Sequence, residues 1–352
     1  MQHSKKYLIL MVALLVFGVS SPTTAGSLLP ERQPVIQVDP ATGEHSTRIS
    51  VLIYNVKAIP WPFLWGRSGD LKKIQATLAS WQQAGTAPDV VLFQEAFRDR
   101  PRKMGKKVGY PDWARGPKKG DDAEKLPSTN NEFVTERSFM KGERLGKVMS
   151  SGLAAFSEFR IVKRIAQPFK RHACAGYDCF ANKGLLLVSI QIPGVPVPID
   201  IVTTHLNSKK SSGVPDTRSF YAYQLQVDEL TTFINEHRDP THPLILGGDF
   251  NLRESPNRLK YVREKVTFPF VRAWCHVDPS VCRSKVKGVD PWHSQDQQVF
   301  NGSPVVNVEP IATDEVFDSE DGKVLSDHSG FLVTYRISWF ADTSSNTQLA
   351  QN

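Results

Sequence analysis

Apolar residues along this chain follow two periods. Short β-type runs at Ile49–Tyr54, Asp89–Phe93, Gly152–Phe156, Gly184–Ile190, Pro198–Thr203, Leu244–Leu246 and Phe331–Ile337 predict strands. Between them lie helical spacings. Asp70–Gln83 repeats apolar residues at Leu71, Ile74, Leu78 and Trp81, with Ser68 or Asp70 available as N-cap, and Phe220–Glu236 does so at Tyr221, Leu225, Leu230, Phe233 and Ile234. Strands alternating with helices from Arg48 onward predict an α/β sandwich. Pro193-Gly194 predicts a hairpin turn. The stretch Met104–Met149 is polar, rich in Gly, Pro and Lys, and weakly patterned, which predicts a long surface insertion near a substrate face. Residues 26–47 read as a linker or extended arm, 48–338 as one domain, and the Ser/Thr/Asn/Gln-rich 339–352 as a disordered tail.

The first residues follow a different rule. Lys5 and Lys6 precede an uncharged apolar run, Tyr7–Val19, that is short for a bilayer span, and small residues follow with Thr23-x-Ala25 as a cleavage signature. Residues 1–25 therefore read as a secretory signal, and the protein as secreted or periplasmic; the competing reading is an uncleaved anchor. Without that segment the formal charge falls from +7 to +5, mildly basic and suited to a phosphate ester, a nucleic acid or a membrane surface. Four cysteines agree with export. Cys174 with Cys179 and Cys275 with Cys282 would each close a short loop, the simplest of three connectivities; a zinc site is the alternative, at a spacing wider than zinc ribbons use.

Chemistry gathers where the strands end. Tyr54-Asn55-Val56, Phe93-Gln94-Glu95-Ala96-Phe97, Thr204-His205-Leu206-Asn207 and Gly247-Gly248-Asp249-Phe250-Asn251 each follow an apolar run, and Ser326-Asp327-His328 precedes the last one. Oxygen ligands at strand tips suit Mg²⁺, Mn²⁺ or Ca²⁺, and histidines supply proton transfer. A phosphodiester needs both, because its oxygens are anionic and its leaving alkoxide is poor. Glu95 and Asn55 are the candidate metal-side groups. His328 is the candidate base, with Asp296 as the carboxylate that orients it. His205 can donate to a phosphoryl oxygen, and Asp249 with Asn251 can address the same phosphate.

These five motifs, in this order, resemble the endonuclease/exonuclease/phosphatase superfamily over about Arg48 to Ile337. The resemblance implies an α+β fold like that of deoxyribonuclease I: a four-layer sandwich of two mostly antiparallel sheets packed face to face, with helices outside. It implies metal-associated Asn55 and Glu95, with Asp327 close to the metal; phosphate contacts from His205, Asp249 and Asn251; and His328 as base. Within the superfamily the chain is most similar to bacterial neutral sphingomyelinases. That likeness is carried by Asp89–Phe97, by Cys179-Phe180-Ala181-Asn182-Lys183-Gly184 with Thr203–Asn207, and by Arg218 with Tyr223-Gln224-Leu225. It implies a monomeric hydrolase that releases phosphocholine from sphingomyelin in a membrane, with Arg218 as a substrate contact. The pattern departs at Asn207, where Gln is expected.

Each residue also has a plain structural reading. Asn55 and Asp249 are common turn residues. His172, His237, His242, His276 and His293 carry no strand-tip motif and read as surface or satisfied histidines. Trp61-Pro62-Phe63-Leu64-Trp65 is either a loop folded onto the core or a lipid-contact loop, with Trp61, Phe63 and Trp65 at the interface. The rival functions are a secreted nuclease with a basic groove, a phosphoinositide-type phosphatase, and an inactive binding module; the intact strand-tip set argues against the last.

Overall fold

The structure is a computed structural model that describes residues 32–253, 255–277, 291–318 and 324–341, with the backbone of Arg283–Ser284. These residues fall within the unit Glu31–Asn352. The signal-like segment 1–25, most of the predicted tail and Cys282 lie outside the described residues. In chain order the first half contains β1 (Gln37–Val38), β2 (Glu44–Asn55), α1 (Ser68–Ala84), β3 (Val90–Gln94), α2 (Asp99–Arg102), α3 (Met104–Val108), β4 (Asp112–Arg115), α4 (Asn131–Thr135), β5 (Ala154–Ser157) and β6 (Arg160–Pro168). The second contains β7 (Gly184–Gln191), β8 (Ile199–His205), α5 (Asp216–His237), β9 (Leu244–Asp249), α6 (Pro256–Lys265), α7 (Val271–Val277), β10 (Arg283–Ser284), β11 (Asp296–Asn301), β12 (Asn307–Val316) and β13 (Gly330–Phe340).

Among the described residues, one sheet runs β10-β12-β13-β2-β3-β5-β4 with β1 added on β2, and the other runs β11-β9-β8-β7-β6. Most neighbours are antiparallel; β2 with β3, β8 with β9 and β10 with β12 are parallel. The period-two alternation of the strands builds the layers. In β2, Ile49, Val51 and Ile53 face the second sheet, where they meet Leu186, Val188, Ile201 and Ile245. Leu52 and Tyr54 face the other way, onto Leu71, Ile74 and Leu78 of α1 and Met104 of α3. Leu187, Val202 and Leu246 of the second sheet pack under Tyr223, Val227, Leu230 and Phe233 of α5. The result is helix, sheet, sheet, helix, the α+β sandwich that the motifs implied. Each buried Leu, Ile or Phe contributes about 1.5–3 kcal/mol.

Polar cross-links fix how the sheets meet. Gln298 of β11 donates from Nε2 to Val51 O (3.0 Å) and Phe331 O (3.1 Å) in the opposite sheet, and Gln94 Nε2 donates to Thr203 Oγ1 at 3.1 Å. Their geometry is unforgiving, because a buried amide left unpaired costs about 1–3 kcal/mol.

The boundaries differ from the sequence reading in several places. β2 begins at Glu44 and pairs with β13 as far as Phe340, so both the arm ending at 47 and the tail starting at 339 overlap sheet. Alternation there is masked by polar residues on a strand whose start is half exposed. Met104–Met149 is not a bare insertion: it contains α3, the edge strand β4 and α4. Only Ala114 of β4 is buried, too little for a hydrophobic pattern. Helix α1 is preceded by Arg67, which makes no side-chain cap, so neither Ser68 nor Asp70 caps it. Strands β6, β11 and β12 were not read from the sequence. The Pro193-Gly194 turn does join two antiparallel strands, β7 and β8, with Gly194 at φ 80°.

Candidate active site

Sheet register brings the strand tips together. His205 ends β8 beside Asp249, the end of parallel β9, while antiparallel β11 sets Asp296 on the other side of Asp249. From the other sheet, Asn55 ends β2 beside Gln94, and Glu95 follows directly. Gly248 permits the crowding: a Cβ there would lie 2.1 Å from Thr204 O.

Asn55 joins the sheets. Its Nδ2 donates to Glu95 Oε1 at 3.2 Å and to Asp249 Oδ2 at 3.0 Å, and its Oδ1 accepts from Lys57 N at 3.1 Å. Glu95 sits at φ 53°, a left-handed backbone that aims its side chain back into the site. Its Oε2 is buried with no hydrogen-bond partner among the described residues, and burial pushes its pKa up to about 7. Asn251 is also left-handed, at φ 51°; its N–H donates to Asp249 Oδ1 at 2.9 Å and its Nδ2 to Leu206 O at 3.0 Å.

The two histidines differ in charge. His205 Nε2 lies 3.4 Å from Asp249 Oδ2, and its Nδ1 has no partner among the described residues. Burial, then Lys183 and His328, hold its pKa well below the usual range, so it is neutral. His328 Nδ1 lies 2.7 Å from Asp296 Oδ2, and its Nε2 3.8 Å from Asp249 Oδ2. Burial opposes its charged form, but Asp296 and Asp249, with Asp327, outweigh burial and raise its pKa to about 10. Asp249 itself is raised by burial, with His328 pulling the other way. Asp327 binds Lys57 Nζ at 2.7 Å; burial raises its pKa, but Lys57 and His328 bring the net shift below the carboxylate norm.

Supporting residues to which the sequence reading gave no role of their own hold this arrangement. Arg67 is buried and donates to Val56 O (3.0 Å), Lys57 O (3.1 Å) and Leu325 O (2.6 Å), fastening the Ser326-Asp327-His328 turn beside Asn55. Ser326 Oγ donates to Asn55 O at 2.7 Å. Lys183 is buried, donates to Asp178 Oδ2 (3.1 Å) and Leu206 O (3.0 Å), and brings positive charge near Glu95 and His205. Its signal in the sequence is a lysine directly before an apolar strand.

Other candidates stand elsewhere. Arg218 is not presented to a substrate: its Nε donates to the fully buried Glu143 at 2.8 Å, and its guanidinium stacks on Phe133 at 4.4 Å. A lone arginine near a helix start does not reveal a buried acid from another loop. Trp61, Phe63 and Trp65 are exposed, so the loop is not folded onto the core. Cys174 and Cys179 form a disulfide; Cys275 is also disulfide-bonded. Asn207, the departure from the expected Gln, is fully buried and accepts Ala175 N at 2.9 Å.

A hard cation fits the residues present. Glu95 offers an unpartnered buried carboxylate oxygen with the carboxylate of Asp249 nearby, and Asn55, which here turns Nδ2 toward both and Oδ1 toward Lys57 N, would offer its oxygen to a cation once its amide flips. Asp249, Asp296 and His328 also lie within 4.8 Å of one another, a second arrangement able to hold an ion. There, however, His328 is favoured as an imidazolium between carboxylates, and an imidazolium has no lone pair to give. The Glu95–Asn55 side is the better cation seat.

The Endonuclease/Exonuclease/phosphatase family model matches residues 64–279, and the chain belongs to that family. The fold of that family supports a phosphoric diester hydrolase. No curated protein matches the chain. Among solved structures it is similar to a mutant of beta toxin from Staphylococcus aureus with bound magnesium ions: 18% identity, TM-score 0.56, covering 82% of this chain and 99% of that one. It is also similar to sphingomyelinase C from Streptomyces griseocarneus, at 19% identity and TM-score 0.55, covering 82% and 99%. TDP2 from D. rerio complexed with a single-strand DNA product is similar at 15% identity and TM-score 0.54, covering 82% and 98%. At these identities the likeness is one of fold.

Proposed function

We propose that this chain is an exported, divalent-cation-dependent phosphodiesterase that removes the head group of a membrane phospholipid, converting sphingomyelin to ceramide and phosphocholine, and that it acts as a monomer. The observation that carries the chemistry is the unpartnered oxygen of Glu95 beside the Asp296–His328–Asp249 array. The observation that favours a lipid is the exposed Trp61–Trp65 loop, which leaves β2 directly after Asn55. The Cys174–Cys179 disulfide favours an oxidising compartment, hence export.

Glu95 and Asn55, with Asp327 after it exchanges Lys57, would hold Mg²⁺ (or Mn²⁺ or Ca²⁺), which when bound neutralises phosphoryl oxygens and acidifies water. The protein groups do the rest. His328 acts from its deprotonated form: having released its Nε2 proton to solvent, it takes the proton of the attacking water there, and the carboxylate of Asp296 at Nδ1 stabilises the imidazolium so formed. Neutral His205 donates to a phosphoryl oxygen as charge builds there, and Asn251 and Asp249 position the phosphate. Water attacks phosphorus, the P–O bond to the ceramide oxygen breaks, and that oxygen takes a proton from the His328 imidazolium or solvent to give ceramide, leaving phosphocholine.

Purified protein should be given sphingomyelin vesicles, phosphatidylcholine vesicles and plasmid DNA in parallel, with Mg²⁺ and with chelator. Release of phosphocholine from sphingomyelin, stopped by chelator, is the expected result. Cleavage of plasmid with no phosphocholine release would replace this reading with a nuclease.

A further inference from the structure

Beyond the loop that follows Asn55, two other loops that meet it around Phe180 also expose apolar side chains. Loop 60–66 carries Trp61, Phe63 and Trp65; loop 138–146 carries Phe139 and Met140; loop 176–180 carries Tyr177. These six side chains are between 45% and 82% exposed. Phe180 is their common floor. Its ring lies 5.4 Å from Phe63 and 6.1 Å from Tyr177. Gly142 passes so close that a Cβ there would meet the Phe180 ring at 2.5 Å. Trp61 and Trp65 contact edge to face at 6.0 Å.

The three loops are held firmly. Arg98 donates to Ile59 O (2.8 Å) and Leu64 O (2.9 Å); Glu143 accepts Gly176 N (2.8 Å) while paired with Arg218; and the Cys174–Cys179 disulfide closes the third loop. Large apolar groups held outward by buried polar contacts mark an interaction surface rather than a folding fault. The charge around them is one-sided. Segment 136–147 carries Lys141 and Arg144, which make no ion pair among the described residues, whereas its acids Glu136 and Glu143 are both paired with Arg218; Lys147 is turned inward to Ala181 O at 3.0 Å and Arg137 buries its Nε. Lys141 lies over the Tyr177 ring at 5.6 Å.

We infer that this three-loop platform docks the protein on a bilayer that contains anionic phospholipid. Trp, Tyr, Phe and Met would enter the interface, and Lys141 and Arg144 would face lipid phosphates. The inference deepens the phospholipid reading and rests on it for the choice of a bilayer as occupant. The platform adjoins the site at two points: Lys57 and Ala58, which lead into loop 60–66, donate their N–H groups to Asn55 Oδ1 and Glu95 O, and Asp178 of the third loop binds Lys183. A docked protein would therefore hold Glu95 and His328 toward the head groups.

The test is sedimentation of the full chain with phosphatidylcholine vesicles, with and without phosphatidylserine, in chelator so that no lipid turns over. Phe139→Ser with Met140→Ser should weaken binding about tenfold, while Val162→Ser, an exposed apolar residue on β6, should bind like the parent. Lys141→Glu with Arg144→Glu should remove the gain from phosphatidylserine. Trp fluorescence should shift to the blue on vesicle addition. Phosphocholine release from sphingomyelin in detergent micelles is measured separately. Release with vesicle binding untouched by the loop variants overturns the platform and leaves the substrate reading standing. Binding that the loop variants weaken, without phosphocholine release, supports the platform and overturns the substrate. Self-association lost in the same variants, with no vesicle binding, overturns the platform in favour of a second copy of this chain.

Discussion

The two ends of the sandwich each bury a histidine against an aspartate, and they do opposite things with it. At one end His242 Nδ1 lies 3.1 Å from Asp200 Oδ1, and Asp200 also accepts Ser189 Oγ (2.6 Å) and Asp239 N (3.2 Å). Both carboxylate oxygens are satisfied. At the other end His328 binds Asp296 at 2.7 Å, but Asp296 Oδ1 has no partner among the described residues, nor do Glu95 Oε2 and His205 Nδ1. The contrast teaches that a buried His–Asp pair is not in itself a site. What marks the site is polar capacity left unused in a place where unpaired groups are costly.

The largest expected difference comes from Glu95→Gln. Mg²⁺-supported turnover should fall below detection, and the rise in melting temperature on adding Mg²⁺ should vanish while the metal-free melting temperature holds. Full turnover in excess chelator would refute the cation role. Next, His328→Ala should lower kcat by about 10²–10⁴-fold, measured as phosphocholine release at saturating substrate. His205→Ala should lower it by about 10²–10³-fold, the loss typical of one transition-state donor. Asp200→Ala breaks the comparison if it behaves likewise. It should instead destabilise the fold by about 2–4 kcal/mol in urea unfolding, with kcat per folded molecule unchanged.

The smallest effect sharpens the comparison from a third place. Glu229, on α5, also has an unpartnered buried oxygen and a pKa raised to about 7 by burial, yet it lies away from the strand tips and accepts Lys170 N at 2.7 Å. Its folded pKa lies above its unfolded one, so the folded state holds the extra proton. The stability this contributes is present below about pH 4.5 and is lost as pH rises through about 7. Glu229→Gln should flatten that slope and gain on the order of 1–2 kcal/mol at pH 8, with activity unaltered. A loss of Mg²⁺ response in this variant would mean that the orphan oxygen of Glu95 is not distinctive.

Much of the layer structure was legible, because it rests on local periods: alternation in β2 and β7, the helical repeats of α1 and α5, the turn at Pro193-Gly194. The elements missed were those with little local contrast. β4 and β6 are edge strands with few buried residues, and β11 is buried on both faces but built from Asp296, Gln297 and Gln298. Its burial is made tolerable by hydrogen bonds to the other sheet, which no local pattern encodes.

The chain by itself determined which chemical groups stand at strand tips, because hydrophobic runs and the polar residues that end them are contiguous in sequence. It determined the cysteine pair at 174 and 179 as near neighbours for the same reason. Only the tertiary structure decided what those groups meet. Asn55 reaches Asp249 across 194 residues, and Asp296 reaches His328 across 32, through sheet register and sheet-on-sheet packing. The fold turned Arg218 inward to Glu143, Lys183 toward Glu95 and His205, and Trp61, Phe63 and Trp65 outward. Charge and exposure belong to surroundings, and in a sandwich the surroundings of each loop come from distant parts of the chain.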